Sequence, residues 1–588
     1  MTEEWITGGA STPVWSAGQA TEGLPGVRMG TGCRARVLAD GGVRVAVVGD
    51  FLLSAGEEEQ LIKAAADGRW LDLTRLPGSY WVIAQGAGVS FVCGDVAGLR
   101  SVFYHGHGSD MVWSTSARRI AVHRRAEVDL LMAAARLAAG PEHWPNRTLF
   151  EGVRAVPGGY GLLLGPQGHR VVEVSGIHPS GTLAEGAAAF GAALERAVHG
   201  RMAAAGGRAG ADVSGGLDSS SVAILAAEVG EIRAVTYADP FTSAEDLGFA
   251  HRVADHIRSP LQVARGGLEE LPFGWAPGQP VPDQPAAASL TMAQHTLYLR
   301  PAAGLPLHFT GHGGDVVLDS CSAVWVAMVQ DGQRRIARRE VTNWARARNR
   351  SPRDMWRAIT QCAGTGHAGA LEEAAVQLET GVFDTRRPGV WTWCHLGESA
   401  RWLTPYARER VAGLMREGAR EIVPLRADLA EQHASLRLIA TDARDTAPLA
   451  ASWGIRPVHP FLDNQVVRAA FAIPSAERHG LTTFKPLLAT ALPRLPRWLT
   501  GRRSKGSFTR QLTAGILHHQ AEIAELIRTS PLVADGLLDP EPALTALAAV
   551  GGTRADALYD LQRLTMTCQW LNARAGTSLP PAARELTC

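Results

Sequence analysis

Ala209-Gly-Ala-Asp-Val213 runs directly into Ser214-Gly-Gly-Leu-Asp218-Ser219-Ser220, and the order of these two stretches decides the fold of the chain's second part. The first stretch is a short apolar run, which predicts a strand. The glycine-rich turn after it opens an amphipathic helix over residues 217–229, and residues 232–237 predict a second strand. Strand, turn, helix and strand in this order predict a parallel sheet covered by helices.

The glycine-rich turn has the composition of an anion-binding loop. Its glycines let backbone N–H groups approach an anion closely, and the helix start behind them adds orphan donors and the positive end of the helix dipole. Its aspartate can hold Mg²⁺ against phosphate oxygens. The alternative is an ordinary helix capped after a tight turn. The residues predicted to bind ATP or its pyrophosphate here are Ser214, Gly215, Gly216, Asp218, Ser219 and Ser220.

Overall composition argues against some classes of partner. The 588 residues include 58 basic and 57 acidic side chains, a net charge of +1, which argues against nucleic acid or an anionic membrane as the main partner. No apolar run approaches the roughly 18 residues that a membrane span requires, and the N-terminus lacks the features of a signal peptide. We interpret the seven dispersed cysteines as free thiols. The expected location is therefore the cytoplasm.

Lysine is unusually scarce in this chain. Only Lys63, Lys485 and Lys505 are lysines, and the remaining basic residues are arginine. A compact ammonium group suits a tight site that a planar guanidinium does not fit. We interpret Lys63 as a surface residue and regard the other two as candidates for chemistry.

The chain divides into two predicted domains. Short alternating strands over residues 43–48, 79–84, 89–93 and 160–164, with a helix over 57–67, predict a layered α+β domain that is rich in antiparallel strands. A linker at 176–181 separates it from the second domain, which becomes mostly helical after residue 325. The predicted boundary gives domains 1–177 and 178–588.

Beyond these patterns, the sequence resembles the asparagine-synthetase superfamily along nearly its whole length. The Ser-Gly-Gly-x-Asp-Ser loop matches that of N-type ATP pyrophosphatases, which cleave ATP between the α and β phosphates. The other matching segments are Asp283-Gln-Pro285, Thr310-Gly-His-Gly-Gly-Asp315, Pro460-Phe-Leu-Asp463, Phe484-Lys485-Pro-Leu-Leu and Arg502-Arg-Ser-Lys505-Gly-Ser-Phe508. Two of the three lysines thus fall on the family's lysines.

The resemblance assigns roles to these residues. It implies ATP and Mg²⁺ as cofactors, Asp218 and Asp315 as metal ligands, and Gly311 and Gly313 as further parts of the nucleotide site. It also makes Lys485 and Lys505 catalytic, and Lys505 would stabilise negative charge at the α-phosphate and the tetrahedral intermediate. The implied fold is an N-terminal nucleophile (Ntn) glutaminase-like α+β sandwich, followed by an α/β parallel-sheet ATP-pyrophosphatase domain with a helical C-terminal part.

The N-terminal domain departs from an active class II glutaminase. Such enzymes need Cys directly after the initiator Met, whereas this chain has Thr2, a residue type that serves as the N-terminal nucleophile in other enzymes. Val48-Gly49-Asp50 stands near the place of the family's Asn-Gly oxyanion element, and the Arg-Gly-Pro-Asp substrate loop is missing. The sequence therefore predicts a glutaminase-like domain that is kept for structure, and an amine other than ammonia.

A second departure is His312, where asparagine synthetases have Glu and β-lactam synthetases have Tyr. Histidine has an ordinary pKa near 6.5, so His312 is a candidate general base, and the alternative is a loop histidine that only forms hydrogen bonds. This combination is most similar to lasso-peptide macrolactam cyclases. That resemblance implies a precursor peptide as substrate, with a leader-recognition protein and a leader peptidase as partners.

Three other functions stay open on the sequence alone. The chain resembles β-lactam synthetases and other small-molecule amide synthetases in the same motifs. An amidotransferase that takes free ammonia is a further alternative. A non-catalytic scaffold of a biosynthetic complex is the alternative from a different class, and the intact loop, both aspartates and both lysines argue against it.

Overall fold

The structure is a computed structural model that describes residues 4–9, 18–275, 279–384, 389–480, 484–502, 506–551 and 557–576. Its strands are β1 (Ile6–Gly9), β2 (Gln19–Ala20), β3 (Arg28–Met29), β4 (Ala35–Asp40), β5 (Val43–Phe51), β6 (Gly78–Gly86), β7 (Val89–Cys93), β8 (Val102–His105), β9 (Val112–Ser114), β10 (Arg154–Val156), β11 (Tyr160–Gly165), β12 (Gly168–Glu173), β13 (Arg208–Asp212), β14 (Glu231–Ala238), β15 (Gln262–Arg265), β16 (His308–Phe309) and β17 (Pro457–Val458).

The helices of the described ranges lie mostly in the second part of the chain. They are α1 (Ala55–Ala66), α2 (Ala117–Arg124), α3 (Leu130–Ala139), α4 (Leu183–Ala204), α5 (Leu217–Ala227), α6 (Ala244–His256), α7 (Met292–Leu299), α8 (Gly314–Leu318), α9 (Ala323–Gln330), α10 (Arg334–Ala347), α11 (Pro352–Thr380, kinked at Gly366), α12 (Ser399–Trp402), α13 (Pro405–Glu421), α14 (Ala427–Ser452), α15 (Asn464–Phe471), α16 (Ser475–Arg478), α17 (Pro486–Ala491), α18 (Arg497–Thr500), α19 (Thr509–His518), α20 (Gln520–Arg528), α21 (Pro531–Ala534), α22 (Pro540–Ala548) and α23 (Leu558–Gly576).

The N-terminal part is a sandwich of two antiparallel sheets, ordered β10-β8-β9-β1-β3-β2 and β12-β11-β7-β6-β5-β4. Successive side chains of a strand face opposite sides, and β5 shows this directly. Ala46 and Val48 enter the core between the sheets, whereas Val45 and Val47 pack under α1. Helices α2 and α3 cover the other sheet. The predicted layered α+β sandwich is therefore confirmed.

Helix α1 begins two residues before its predicted start at residue 57. The carboxylate of Glu57 accepts hydrogen bonds from the backbone N and the hydroxyl of Ser54, at 2.8 and 2.7 Å. This is the capping-box spacing, a signal that the sequence carries and that fixes where the helix starts.

The second part is built on a parallel sheet ordered β15-β14-β13-β16-β17. The predicted strands and helix around the glycine loop are β13, α5 and β14, so this prediction is confirmed. The chain order reverses between β13 and β16, and open parallel sheets bind ligands at such a switch point, beyond the carboxyl ends of the strands. The fifth strand, β17, has only two residues, and the sequence prediction of a helical region missed it.

An ion-pair network joins the two parts of the chain. Arg201 of α4 donates from Nε to Asp50 Oδ2 at 2.6 Å and from Nη1 to Asp463 Oδ2 at 3.0 Å, and all three side chains are buried. Arg456 donates to Asp50 Oδ1 at 3.1 Å. Burial raises the pKa of Asp50, but the guanidinium groups of Arg201 and Arg456 outweigh it, so the pKa lies below its ordinary value.

The precise domain boundary at 177/178 stays a prediction.

Replacing Asp50 by Ala is expected to lower the free energy of unfolding by about 3–5 kcal/mol, because it leaves the Arg201 guanidinium incompletely compensated in a buried place. Urea unfolding followed by tryptophan fluorescence measures this change. Asp40→Ala, at the exposed end of β4, is the matched control and should change the free energy by less than about 0.5 kcal/mol. Equal effects of the two substitutions would contradict a stabilising role for the network.

Within the described ranges, every helix is too short or too polar to reach across a bilayer. The six cysteines of these ranges are free, as the sequence predicts.

Candidate active site

The first glycine loop lies between β13 and α5, at the carboxyl edge of the parallel sheet. Gly215 has a φ of +78°, and a Cβ there would collide with the backbone of Asp246 in α6, so only glycine fits. Ser214 and Ser219 hydroxyls lie 2.8 Å apart, and Gly216 N donates to Ser214 Oγ at 3.3 Å. Gly216 is also the N-cap residue of α5. The loop thus presents hydroxyls and a helix N-terminus at one place. Ser220 lies fully buried inside α5.

The second glycine loop, Thr310–Asp315, follows β16 and touches the first. A Cβ on Gly311 would meet the backbone N of Ser219 at 2.6 Å, and one on Gly314 would meet the Asp218 carboxyl carbon at 2.5 Å. Gly313 has a φ of +90° and is the N-cap residue of α8, whose first turn carries Asp315. These glycines let the two loops approach closely. The sequence alone did not predict Gly314 as part of the site, although it lies within the Thr310–Asp315 motif.

Asp218 and Asp315 converge on Lys485. The Lys485 ammonium donates to both oxygens of Asp218 at 2.5 Å and to Asp315 Oδ1 at 2.7 Å. The lysine side chain is only 2% exposed, whereas that of Asp315 is 57% exposed, so the group opens to solvent on the Asp315 side. Burial lowers the pKa of Lys485, but the two carboxylates raise it more, and the net pKa is above its ordinary value.

Lys485 also holds an uncommon backbone conformation. Its φ is +51°, in the left-handed region, immediately before α17. Non-glycine residues adopt this region seldom, and such strain concentrates at functional sites.

The pair of aspartates suits Mg²⁺, which proteins usually hold by one or two carboxylates together with substrate phosphates. In the described ranges no three His, Cys, Asp or Glu side chains form a metal-binding group. The two carboxylates therefore fit an ion that ATP itself helps to bind. Asp218 and Asp315 are the residues that would hold it.

His312 belongs to the second glycine loop and is joined to His459 through the Thr310 hydroxyl. Thr310 Oγ1 lies 3.1 Å from His312 Nδ1 and 2.7 Å from His459 Nδ1, and the two rings stand at 89° to each other. Burial lowers the pKa of His312, so its imidazole is neutral at pH 7 and able to accept a proton. Burial also holds the pKa of His459 well below its ordinary value. Nothing in the sequence indicated the contact that Thr310 makes with His459.

Arg502, the first residue of the Arg502–Phe508 segment, contacts the first glycine loop. It donates from Nη1 to Gly215 O at 2.6 Å, pairs with Asp246, and its guanidinium lies over the Phe249 ring. Lys505 and Arg503 lie outside the described residues. Asp246 could not be predicted from the sequence, because an ordinary helical aspartate carries no signal of this contact.

The Asp-x-Pro element lies elsewhere. Asp283 accepts hydrogen bonds from Ser116 Oγ at 3.0 Å and Ala117 N at 2.8 Å, and so caps α2 of the N-terminal sandwich. In this structure it serves the contact between the two parts of the chain.

The segment Val48–Asp50, near the place predicted for an oxyanion element, contacts side chains from other parts of the fold. The Arg100 guanidinium lies against Gly49, donates to Ser79 O at 3.0 Å, and stacks on the Trp81 ring. Asp50 belongs to the buried ion-pair network with Arg201. Thr2 lies outside the described residues. The segment in place of an oxyanion element thus has structural contacts, and the loss of glutaminase function stays a prediction.

Comparisons with known proteins locate a family match in the second part of the chain. Residues 189–572 match the family model described as asparagine synthase, which is more than half of the chain. No curated protein matches the chain. The matched span contains both glycine loops and Lys485.

Two solved structures show weak likeness. The allosteric regulatory enzyme of purine biosynthesis is 14% identical over 41% of this chain and 63% of its own length, with a TM-score of 0.18. The glutamine phosphoribosylpyrophosphate amidotransferase from B. subtilis, complexed with ADP and GMP, is 12% identical over 39% of this chain and 73% of its own, also with a TM-score of 0.18. Neither likeness carries an argument about activity.

Proposed function

Because the chain belongs to the asparagine synthase family, we propose that it is an ATP-dependent amide ligase that forms an acyl-adenylate and releases pyrophosphate. The observation that carries this proposal is the convergence of Asp218, Asp315 and Lys485 at the switch point of the parallel sheet. Family membership supports ATP-dependent amide-bond formation as the class of reaction. The adenylating mechanism rests on the type of the Ser214–Ser220 loop.

The reaction proceeds in two steps. A carboxylate oxygen of the substrate attacks the α-phosphorus of ATP, and pyrophosphate leaves from the glycine loop. An amine nitrogen then attacks the acyl carbon, AMP leaves, and the nitrogen gives its proton to a base. Mg²⁺ held by Asp218 and Asp315 would neutralise charge on the phosphates. The Lys485 ammonium, which contacts both carboxylates, would stabilise the same charge, and Lys505 stays a predicted second cation.

Within this class we favour a lasso-peptide macrolactam cyclase. It would adenylate an Asp or Glu side chain of a precursor peptide, and the peptide's N-terminal amine would attack. The contacts of Gly49 and Asp50 support this, since a domain without glutaminase function leaves the amine to the substrate. His312 is the proposed base. The leader-recognition protein and leader peptidase are the proposed partners.

Mass spectrometry of a candidate precursor peptide, incubated with the protein, ATP and Mg²⁺, tests this subtype. Cyclisation removes one water from the peptide and blocks its N-terminus against amine-reactive labels. A parallel incubation with ¹⁵N-ammonium tests the amidotransferase alternative, which would place ¹⁵N in the product. Label uptake, or turnover only of small amino acids, would exclude the cyclase while leaving the ligase class intact.

Replacing His312 by Ala is expected to slow the coupling step by about 10²–10⁴-fold, because a positioned base contributes this much, while adenylation continues. Burial lowers the pKa of His312. The wild-type coupling rate should therefore fall only when the pH drops below the ordinary pKa of histidine. Single-turnover coupling and ATP–pyrophosphate exchange, measured across pH, separate the two steps.

Thr310 offers a matched pair of variants for the same site. Thr310→Ser keeps the hydroxyl between His312 and His459 and should keep most of the coupling rate. Thr310→Val has nearly the same shape without the hydroxyl and should slow coupling alone. Equal loss of exchange and coupling in both variants would show that this group is structural.

A further inference from the structure

Residues 331–357 form a strongly basic surface. This stretch holds nine arginines and three acidic residues, whereas the rest of the chain holds 49 basic and 54 acidic residues. All nine arginine side chains are exposed: Arg334, Arg335, Arg338, Arg339, Arg346, Arg348, Arg350, Arg353 and Arg357. We call this surface the arginine face.

Helix α10 presents most of the arginine face on one side. Its other side is apolar and buried, where Ala337, Val341 and Ala345 pack in a core with α9 and α11. The exposed side surrounds a shallow depression of about 360 Å³, and its lining residues are Arg335, Arg338, Arg339, Thr342 and Asn343. The apolar side is therefore already covered, and the exposed side is polar and positive.

The placement of these charges does not stabilise helix α10. Arg334 and Arg335 occupy the first turn of α10, at the end where the helix dipole favours acidic residues. Each has another arginine four residues later, Arg338 and Arg339, and like charges at this spacing repel. Among the described residues, none of the nine forms an ion pair with a carboxylate. The folding of α10 therefore does not explain the arginine face.

We propose that the arginine face docks an acidic segment of a partner polypeptide. Helix α10 has 14 residues and is about 21 Å long, which matches a short extended segment. The rest of the chain carries more acid than base, so the positive field is local and would not follow a long polyanion. The nearby Trp344 and Trp356 rings are only partly exposed and are covered by the Arg348 and Arg334 guanidinium groups, so they offer no free stacking platform for bases.

Fluorescence anisotropy with a labelled Glu-rich peptide tests this proposal, with a Gln-for-Glu peptide and a single-stranded oligonucleotide of equal charge as comparison probes. The full chain should bind the Glu-rich peptide and not the Gln peptide, and the affinity should fall as salt is added. The variant Arg335→Glu/Arg338→Glu/Arg339→Glu should bind roughly tenfold or more weakly. A matching Arg→Gln triple variant, with circular dichroism on both, shows whether any loss comes from unfolding.

The control is Arg170→Glu/Arg300→Glu/Arg420→Glu, which changes the net charge equally at exposed arginines elsewhere. It should bind the peptide as the wild type does. An equal loss in the control would show that only net charge matters and would overturn the proposal. Tighter binding of the oligonucleotide, lost in the same face variant, would overturn it in favour of a nucleic-acid surface. These outcomes do not depend on the proposed ligase activity.

Discussion

Asp218→Ala and Asp315→Ala are each expected to lower turnover by about 10³-fold or more, with the fold retained. Both carboxylates point at the Lys485 ammonium from neighbouring glycine loops, and each is a proposed ligand of the Mg²⁺ that neutralises phosphate charge. Removing either would leave this charge incompletely balanced when pyrophosphate departs. Steady-state release of pyrophosphate, with the Mg²⁺ concentration varied, measures the loss.

The matched control is Asp255→Ala, at an exposed position of α6 in the same domain. It should leave both turnover and the Mg²⁺ dependence unchanged. Asp218→Asn keeps the shape of the side chain and separates charge from packing, and it should be nearly as inactive as Asp218→Ala. Near-normal turnover in either aspartate variant would mean that the metal site lies elsewhere.

Lys485→Met is expected to lower kcat by about 10²–10³-fold, because it removes a positive group that acts on developing charge. It also leaves Asp218 and Asp315 facing each other without the cation between them. Lys485→Arg should be strongly impaired as well, since the side chain is buried and a planar guanidinium does not fit the place of a compact ammonium. The expected loss is in kcat more than in KM.

Lys63→Met serves as the control for this lysine, because Lys63 lies exposed on α1. It should turn over substrate at the wild-type rate. Wild-type kcat in Lys485→Arg would show that any positive charge suffices there, and that the arginine-rich chain keeps this lysine for another reason.

Most of the correct predictions from the sequence came from local patterns. The strand, the glycine loop and the helix around Asp218 follow one another within a few residues, so their order alone specifies β13, α5 and the loop between them. The pattern over residues 43–48 likewise predicted strand β5. Helix α1 was predicted two residues short because the capping role of Ser54 was overlooked.

The contacts that were missed join residues far apart in the chain. Arg502 reaches Gly215, Thr310 reaches His459, and no periodicity in the sequence reports such pairs. The strand β17 is too short to show a strand pattern, although it places the Pro460-Phe-Leu-Asp463 segment beside the second glycine loop.

The contact of Asp50 with Arg201 also could not be predicted from the sequence. The sequence indicated that its segment departs from an oxyanion element, but only the fold shows that Arg201 binds the carboxylate of Asp50 together with that of Asp463. The burial of a charged group and the identity of its partner decide its contribution to stability, and both are properties of the folded chain.

Identification of the nucleotide products tests the central claim most directly. The protein is incubated with ATP, Mg²⁺ and candidate carboxylate substrates, including precursor peptides, and the nucleotides are separated and quantified. Adenylation predicts AMP and pyrophosphate in equal amounts, with no ADP. ADP and inorganic phosphate as the products would contradict adenylation and the assignment of the Ser214–Ser220 loop to the departing pyrophosphate.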